Sequence, residues 1–195
     1  MSLTPRQQKL SRVLAARQSG IIVFEDIHDP HNAAAVLRSC DGFGFQTAHF
    51  IFETTKKYNP KKVGKMSSSS ANKWLTIETY TSTAACYEYL RAEGYTIYAT
   101  TLHPEKNVNL YTPWPTLGPK VALVFGNEHA GISAYAADQA DYHLYIPMRG
   151  FVESFNISVC ASLVLGELTR QRTEAGIERY TLPDSEKTQI KQIWK

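Results

Sequence analysis

Residues 146–158 read IPMRGFVESFNIS. Tyr145, Ile146 and Pro147 read as the end of a strand, Gly150 as a turn, and Ser154 and Asn156 as the head of an apolar helix over 155–172. Short polar side chains belong at a helix start because its first N–H groups have no partner within the helix. Capping explains one such residue but leaves the rest of the string unexplained.

On the N-terminal side of this stretch, short β-rich runs alternate with helical ones. Strands are expected over 21–25, 47–52, 75–79, 96–101, 121–125 and 143–146, and helices over 33–43, 83–93 and 133–139. That alternation predicts an α/β fold, a mostly parallel sheet flanked by helices, with ligands outside the carboxyl ends of the strands. Thr4-Pro5-Arg6-Gln7 predicts a first helix running to about residue 18, with Thr4 as cap, Pro5 in the first turn and Gln7 completing a capping box. Its Leu10, Val13 and Leu14 form an apolar stripe and its Arg6, Lys9, Arg12 and Arg17 are expected in water. A last helix over 184–194 is expected to dock through Ile190, Ile193 and Trp194. The chain thus divides into a helical extension (1–19), a central domain (20–175) and a C-terminal extension (176–195).

With 195 residues and 43% hydrophobic content, one core is the economical reading. Charge is uneven: residues 1–75 hold 11 Lys and Arg against 5 Asp and Glu, the remainder 10 against 13, so one region is set to meet an anionic partner. Cys40, Cys86 and Cys160 are widely spaced in apolar surroundings, as reduced packing residues of a cytoplasmic protein would be. There is no apolar run of about 18 residues to span a membrane, and no apolar secretory leader. The six histidines do not fall at metal-ligand spacing, so no metal is expected. Neither nucleotide-binding glycine loop occurs, and no nucleophile elbow.

Three polar clusters fall at expected strand ends. Asn32 stands where a helix cap belongs, with Arg38 further along the same helix. Gly126-Asn127-Glu128 follows an apolar strand and precedes Gly131, which lets backbone approach a ligand closely while an amide and a carboxylate orient it. Ser154 and Asn156 complete the set.

Together the three clusters resemble the SPOUT methyltransferases, specifically the TrmH family of tRNA and rRNA 2'-O-methyltransferases. Its motifs appear in order as Asn32 with Arg38, Gly126-Asn127-Glu128, and IPMRGFVESFNIS, with Phe155 where many relatives carry leucine and charges at Arg149 and Glu153. KVGKMSSSSANKWL (62–75) and ELTRQRTEAG (167–176) are similar to members that methylate a D-loop guanosine of tRNA. The resemblance implies a C-terminal trefoil knot, a rare exception to unknotted topology. It implies a homodimer with the site near the subunit interface, and S-adenosylmethionine lined by Thr100, Leu102, Gly126, Ile146, Met148 and Phe155. It also implies a reaction site of Arg38, Asn32, Glu128, Ser154 and Asn156. A ribose 2'-oxygen would displace the cofactor's methyl, with Arg38 clamping a phosphate and stabilising the developing alkoxide.

RNA is expected to lie on Arg6, Lys9 and Arg12 and on Lys56, Lys57, Lys61, Lys62, Lys65 and Lys73. Tyr58 and Trp74 are open to base stacking or to packing. The alternatives are another RNA target, in the tRNA anticodon loop or in rRNA, and a non-catalytic RNA-binding factor.

Overall fold

Ile21, Ile22, Val23 and Phe24 set the layering. Side chains alternate between the faces of a strand, yet all four are buried, so both faces of this strand are covered. The computed structural model describes residues 3–62, 71–102 and 107–194. In order these form α1 (Pro5–Ala15), β1 (Gln18–Glu25), α2 (Pro30–Gly42), β2 (Phe45–Ile51), a 3-10 turn (Ala71–Lys73), β3 (Thr76–Tyr80), α3 (Thr83–Ala92) and β4 (Thr96–Thr100). They continue as β5 (Asn107–Asn109), β6 (Val121–Phe125), α4 (Ala134–Gln139), β7 (Tyr142–Tyr145), α5 (Ile157–Glu174), a second 3-10 turn (Ile177–Tyr180) and α6 (Asp184–Ile193).

These strands make one parallel sheet in the order β3-β2-β1-β6-β4-β7-β5. Ile22 and Phe24 of β1, with Leu123 and Phe125 of β6, pack under α2 and α5 against Val36, Leu37, Val164 and Leu165. The alternate residues Ile21, Val23, Ala122 and Val124 pack against Cys86, Tyr87 and Leu90 of α3 and Ala136 of α4. The strand order reverses beside β1 and β6, so the crevice beyond their carboxyl ends is where this architecture places a ligand.

The ends of the chain pack on each other. Leu14, Leu182, Ile190 and Trp194 form a separate apolar cluster with Leu10, Val13 and Trp74. The Thr4 capping box forms as expected, and the Trp74 ring meets Trp194 edge-on at 5.6 Å, so Trp74 packs.

Several expectations need correction. Asn32 is not the cap of α2: Pro30 fixes the first turn earlier, Asp29 accepts from the His31 N–H at 2.8 Å, and Asn32 lies inside the helix. Arg17 is not in water but 1% exposed, because α1 ends at Ala15 and turns it inward to the Asp41 carboxylate at 2.5 Å and over the Trp194 ring. Ile193 is 74% exposed, one step around α6 from the buried Ile190 and Trp194. The long helix begins at Ile157 rather than 155, because Asn156 caps it by accepting from the Ser158 N–H. Strand β5 was not anticipated: three residues with one buried apolar side chain, Val108, carry too little pattern.

Candidate active site

Gly126 follows β6 where the sheet order reverses. A Cβ on it would lie 2.0 Å from the Gly131 carbonyl carbon and 2.2 Å from the Ile132 nitrogen, so only glycine fits. Asn127 and Gly131 exchange backbone hydrogen bonds, and the Asn127 side chain accepts from the His129 and Ala130 N–H groups at 2.9 and 2.7 Å. Residues 126–131 are thereby held as a closed loop against the end of the sheet.

This loop is one wall of a pocket of about 360 Å³. All six residues expected to line a cofactor border it: Thr100, Leu102, Gly126, Ile146, Met148 and Phe155. Phe125, Leu144 and Ile157 add apolar surface, and Glu128 and Ser154 reach its rim. Thr100 is turned by its hydroxyl, which donates to the Val124 carbonyl at 3.1 Å. A pocket of this size with apolar walls and a few convergent polar groups suits a small organic cofactor.

Glu128 joins the three sequence clusters. Its carboxylate accepts from the Asn32 amide at 2.9 Å and from the backbone N–H groups of His28 and Asp29 at 3.1 and 3.3 Å. The Asn156 amide donates to the Asn32 side-chain oxygen at 3.2 Å, so Glu128, Asn32 and Asn156 form one chain of hydrogen bonds. Burial alone would raise the Glu128 pKa, but the bonds from Asn32, His28, its own N–H and Asp29 outweigh it and hold the carboxyl below its usual range. As an anion Glu128 can only accept, which turns the Asn32 oxygen toward Asn156.

Arg38 is not in this chain and does not border the pocket. It lies exposed six residues beyond Asn32 on α2, roughly 9 Å along the axis, and makes no hydrogen bond or ion pair among the described residues. Its neighbour Ser39 fixes the helix against α5 through Ser162 at 2.7 Å. Ser154 is exposed at the pocket rim.

Of the expected RNA contacts, Arg6, Lys9, Arg12, Lys56, Lys57, Lys61, Lys62 and Lys73 are all exposed, while Lys65 lies outside the described residues. Tyr58 is half-buried: its ring packs edge-on against Phe52 and its hydroxyl donates to the Ile27 carbonyl.

One element of the site has no local signature: the His28 and Asp29 N–H groups, which reach Glu128 from about a hundred residues away in sequence. Away from the pocket, Arg172 is fully buried, donates to the carbonyls of Ser19, Leu117 and Gly118 and lies over the Phe45 and Tyr180 rings. Burial lowers its pKa to about 10, partly opposed by Tyr180. Among the described residues no cluster of His, Cys, Asp or Glu is able to hold a metal ion, and no helix is long and apolar enough to cross a membrane.

Residues 19–166 match the model of the SpoU rRNA Methylase family. The chain is 32% identical over 179 residues to the tRNA (guanosine(18)-2'-O)-methyltransferase of Thermus thermophilus, spanning 88% of this chain and 86% of that protein. The crystal structure of an A. aeolicus TrmH/SpoU tRNA modifying enzyme matches with a TM-score of 0.85 at 30% identity, over 97% of this chain and 94% of the other. The SpoU methyltransferase AviRb from Streptomyces viridochromogenes, solved with the cofactor AdoMet, matches with a TM-score of 0.67 at 26% identity, over 83% and 61%.

Proposed function

This chain belongs to the SpoU rRNA Methylase family and is an S-adenosylmethionine-dependent RNA 2'-O-methyltransferase; we propose that its substrate is tRNA and its target the ribose of the D-loop guanosine at position 18. The observation that carries the site assignment is the hydrogen-bond chain from Glu128, which borders the pocket, through Asn32 to Asn156, which joins three segments distant in sequence. The tRNA assignment rests on the names of relatives matching nearly end to end, and on exposed cations at Lys56, Lys57, Lys61 and Lys62.

In this reading Gly126, Ile146, Met148 and Phe155 hold the cofactor, with Thr100 and Leu102 closing the other side. Bound there, S-adenosylmethionine supplies a methyl group already activated by its sulfonium charge. The chain itself supplies position and charge. Glu128 and Asn32 fix Asn156, and Asn156 with Ser154 orients the ribose. Arg38, with no internal partner among the described residues, is free to clamp the phosphate beside the target nucleotide and to stabilise negative charge growing on its 2'-oxygen. A guanidinium suits this because it keeps its proton and offers a fork of donors.

The active protein is read as a homodimer. Phe151, Val152, Phe155 and Val159 leave exposed apolar surface beside the pocket, which a second copy would cover. The insertion of β7 between β4 and β5 supports a knotted C-terminal region, and the two terminal extensions are read as additions to one catalytic domain. Free thiols at Cys40, Cys86 and Cys160 support a cytoplasmic setting.

The test is calorimetric titration with S-adenosylmethionine, followed by transfer of labelled methyl to unmodified tRNA and analysis of the nucleosides. Saturable binding and 2'-O-methylguanosine are expected. Label confined to rRNA or to an anticodon-loop nucleotide would overturn the substrate, and a folded sample that binds no cofactor would overturn the pocket assignment.

A further inference from the structure

Asp26 has a φ of 51°, the only positive value on a non-glycine residue among the described residues. A left-handed backbone is unfavourable for a residue that carries a side chain, so something must hold it. Its carboxylate does. One oxygen accepts from the N–H groups of Glu53, Thr54 and Thr55 at 2.8, 3.0 and 3.0 Å, the other from the Thr54 N–H and hydroxyl at 3.1 and 2.6 Å. The Thr55 hydroxyl lies 3.2 Å from the Asp26 carbonyl and 3.0 Å from the His28 Nε2, and the Tyr58 hydroxyl donates to Ile27 at 3.3 Å.

The four residues 26–29 are therefore bonded on two sides. On one side His28 and Asp29 donate to Glu128 in the site already described. On the other, Asp26, Ile27 and His28 gather residues 53–58, which run directly into the exposed Lys56, Lys57, Lys61 and Lys62. Asp26 itself does not border the cofactor pocket.

We propose that Asp26 is a positioning residue for RNA: by clamping residues 53–55 it holds the lysine segment at a fixed offset from Glu128 and Asn32, so that backbone phosphates and the target ribose are engaged together. The inference rests on the reading of those lysines as RNA contacts. A rigid offset of this kind favours a phosphate path of one shape, whereas a loose lysine loop would bind RNA less tightly and without a set distance to the reaction site.

Two variants separate the carboxylate from the backbone. Asp26→Gly tolerates the positive φ and removes every side-chain bond, while Asp26→Asn keeps the conformation and one acceptor oxygen but places an amide N–H₂ where the other accepts from Thr54. Each is measured for cofactor Kd by calorimetry, and for kcat and the KM of tRNA across a salt series. D26G is expected to raise the KM of tRNA about tenfold and to flatten its salt dependence, with D26N smaller in both, while kcat and cofactor Kd stay within about twofold. Should D26G fail to fold, D26N and Thr55→Val carry the same readout. An unchanged KM and salt slope in the folded variants would overturn the proposal, as would kcat and cofactor affinity falling as far as KM rises. Joint replacement of Lys56 and Lys57 by Ala, with Asp26 intact, isolates the underlying reading. If that leaves KM and salt slope unchanged, the lysine assignment falls and the proposal with it; if it raises KM where D26G does not, only the role of Asp26 falls.

Discussion

Gly126 and Arg38 mark opposite extremes among the site residues. A methyl group at Gly126 would overlap the Gly131 backbone at 2.0 Å, and backbone cannot swing aside as a side chain can. Gly126→Ala is expected to cost about 1–3 kcal/mol of stability and to weaken cofactor binding, read together from a thermal melt and a calorimetric titration. Arg38 is exposed with no partner among the described residues, so Arg38→Ala should leave the melting temperature nearly unchanged. Turnover should nonetheless fall about a hundredfold or more, and Arg38→Lys should restore little of it because an ammonium lacks the planar fork. Near-normal turnover in the lysine variant would remove Arg38 from the reaction. The residue types of the site were readable from the sequence because glycine, amide and carboxylate fell at strand ends in family order. Their connections were not. Asn32 looked like a cap because asparagine often is one, whereas Pro30 makes Asp29 the cap and leaves Asn32 to bond Glu128. Asp26 gave no sign of its role, since its partners arrive 27 to 29 residues later on another strand's exit loop.

Among the elements, the β1–α2 connection is held by two anions, Glu128 on the side of the site and Asp26 on the side of residues 53–55. Asp26 and Glu128 are each pushed up by burial and pulled further down by donated hydrogen bonds, so both folded-state pKa values lie below those of the unfolded chain. Their contribution to stability is complete above the unfolded carboxylate range and is lost as pH falls through the folded values. Acid titration of the melting temperature should therefore show a fall that is smaller in Asp26→Asn and in Glu128→Gln, each lower at neutral pH but less sensitive to acid. Parallel acid profiles for wild type and both variants would contradict this. The helices and central strands were legible because their apolar periods are long: β6 fell exactly where the pattern placed it, and α3, α4 and α6 came within a residue at each end. Short β5 was missed, and Arg17 was misplaced because a charge near a helix end reads as solvated unless the Asp41 and Trp194 that receive it are known.

At the scale of the whole molecule, the order reversal of the parallel sheet brings polar groups from three segments together. β1 and β6 lie side by side, their exits lead to Asn32 and Glu128, and α5 brings Asn156 onto the same point. The basic N-terminal part of the chain carries the exposed lysines at 56, 57, 61 and 62, while the pocket is lined by the more acidic remainder, so in the proposed function RNA and cofactor meet different halves of the sequence. Fold class and reaction class followed from pattern and family resemblance; the offset between the lysine loop and the pocket depended on tertiary contacts alone. Transfer to one ribose oxygen is read from two tRNA transcripts, one all-ribose and one carrying 2'-deoxyguanosine at position 18. One labelled methyl per chain is expected on the first and none on the second. Equal labelling of both transcripts would rule out transfer to that oxygen.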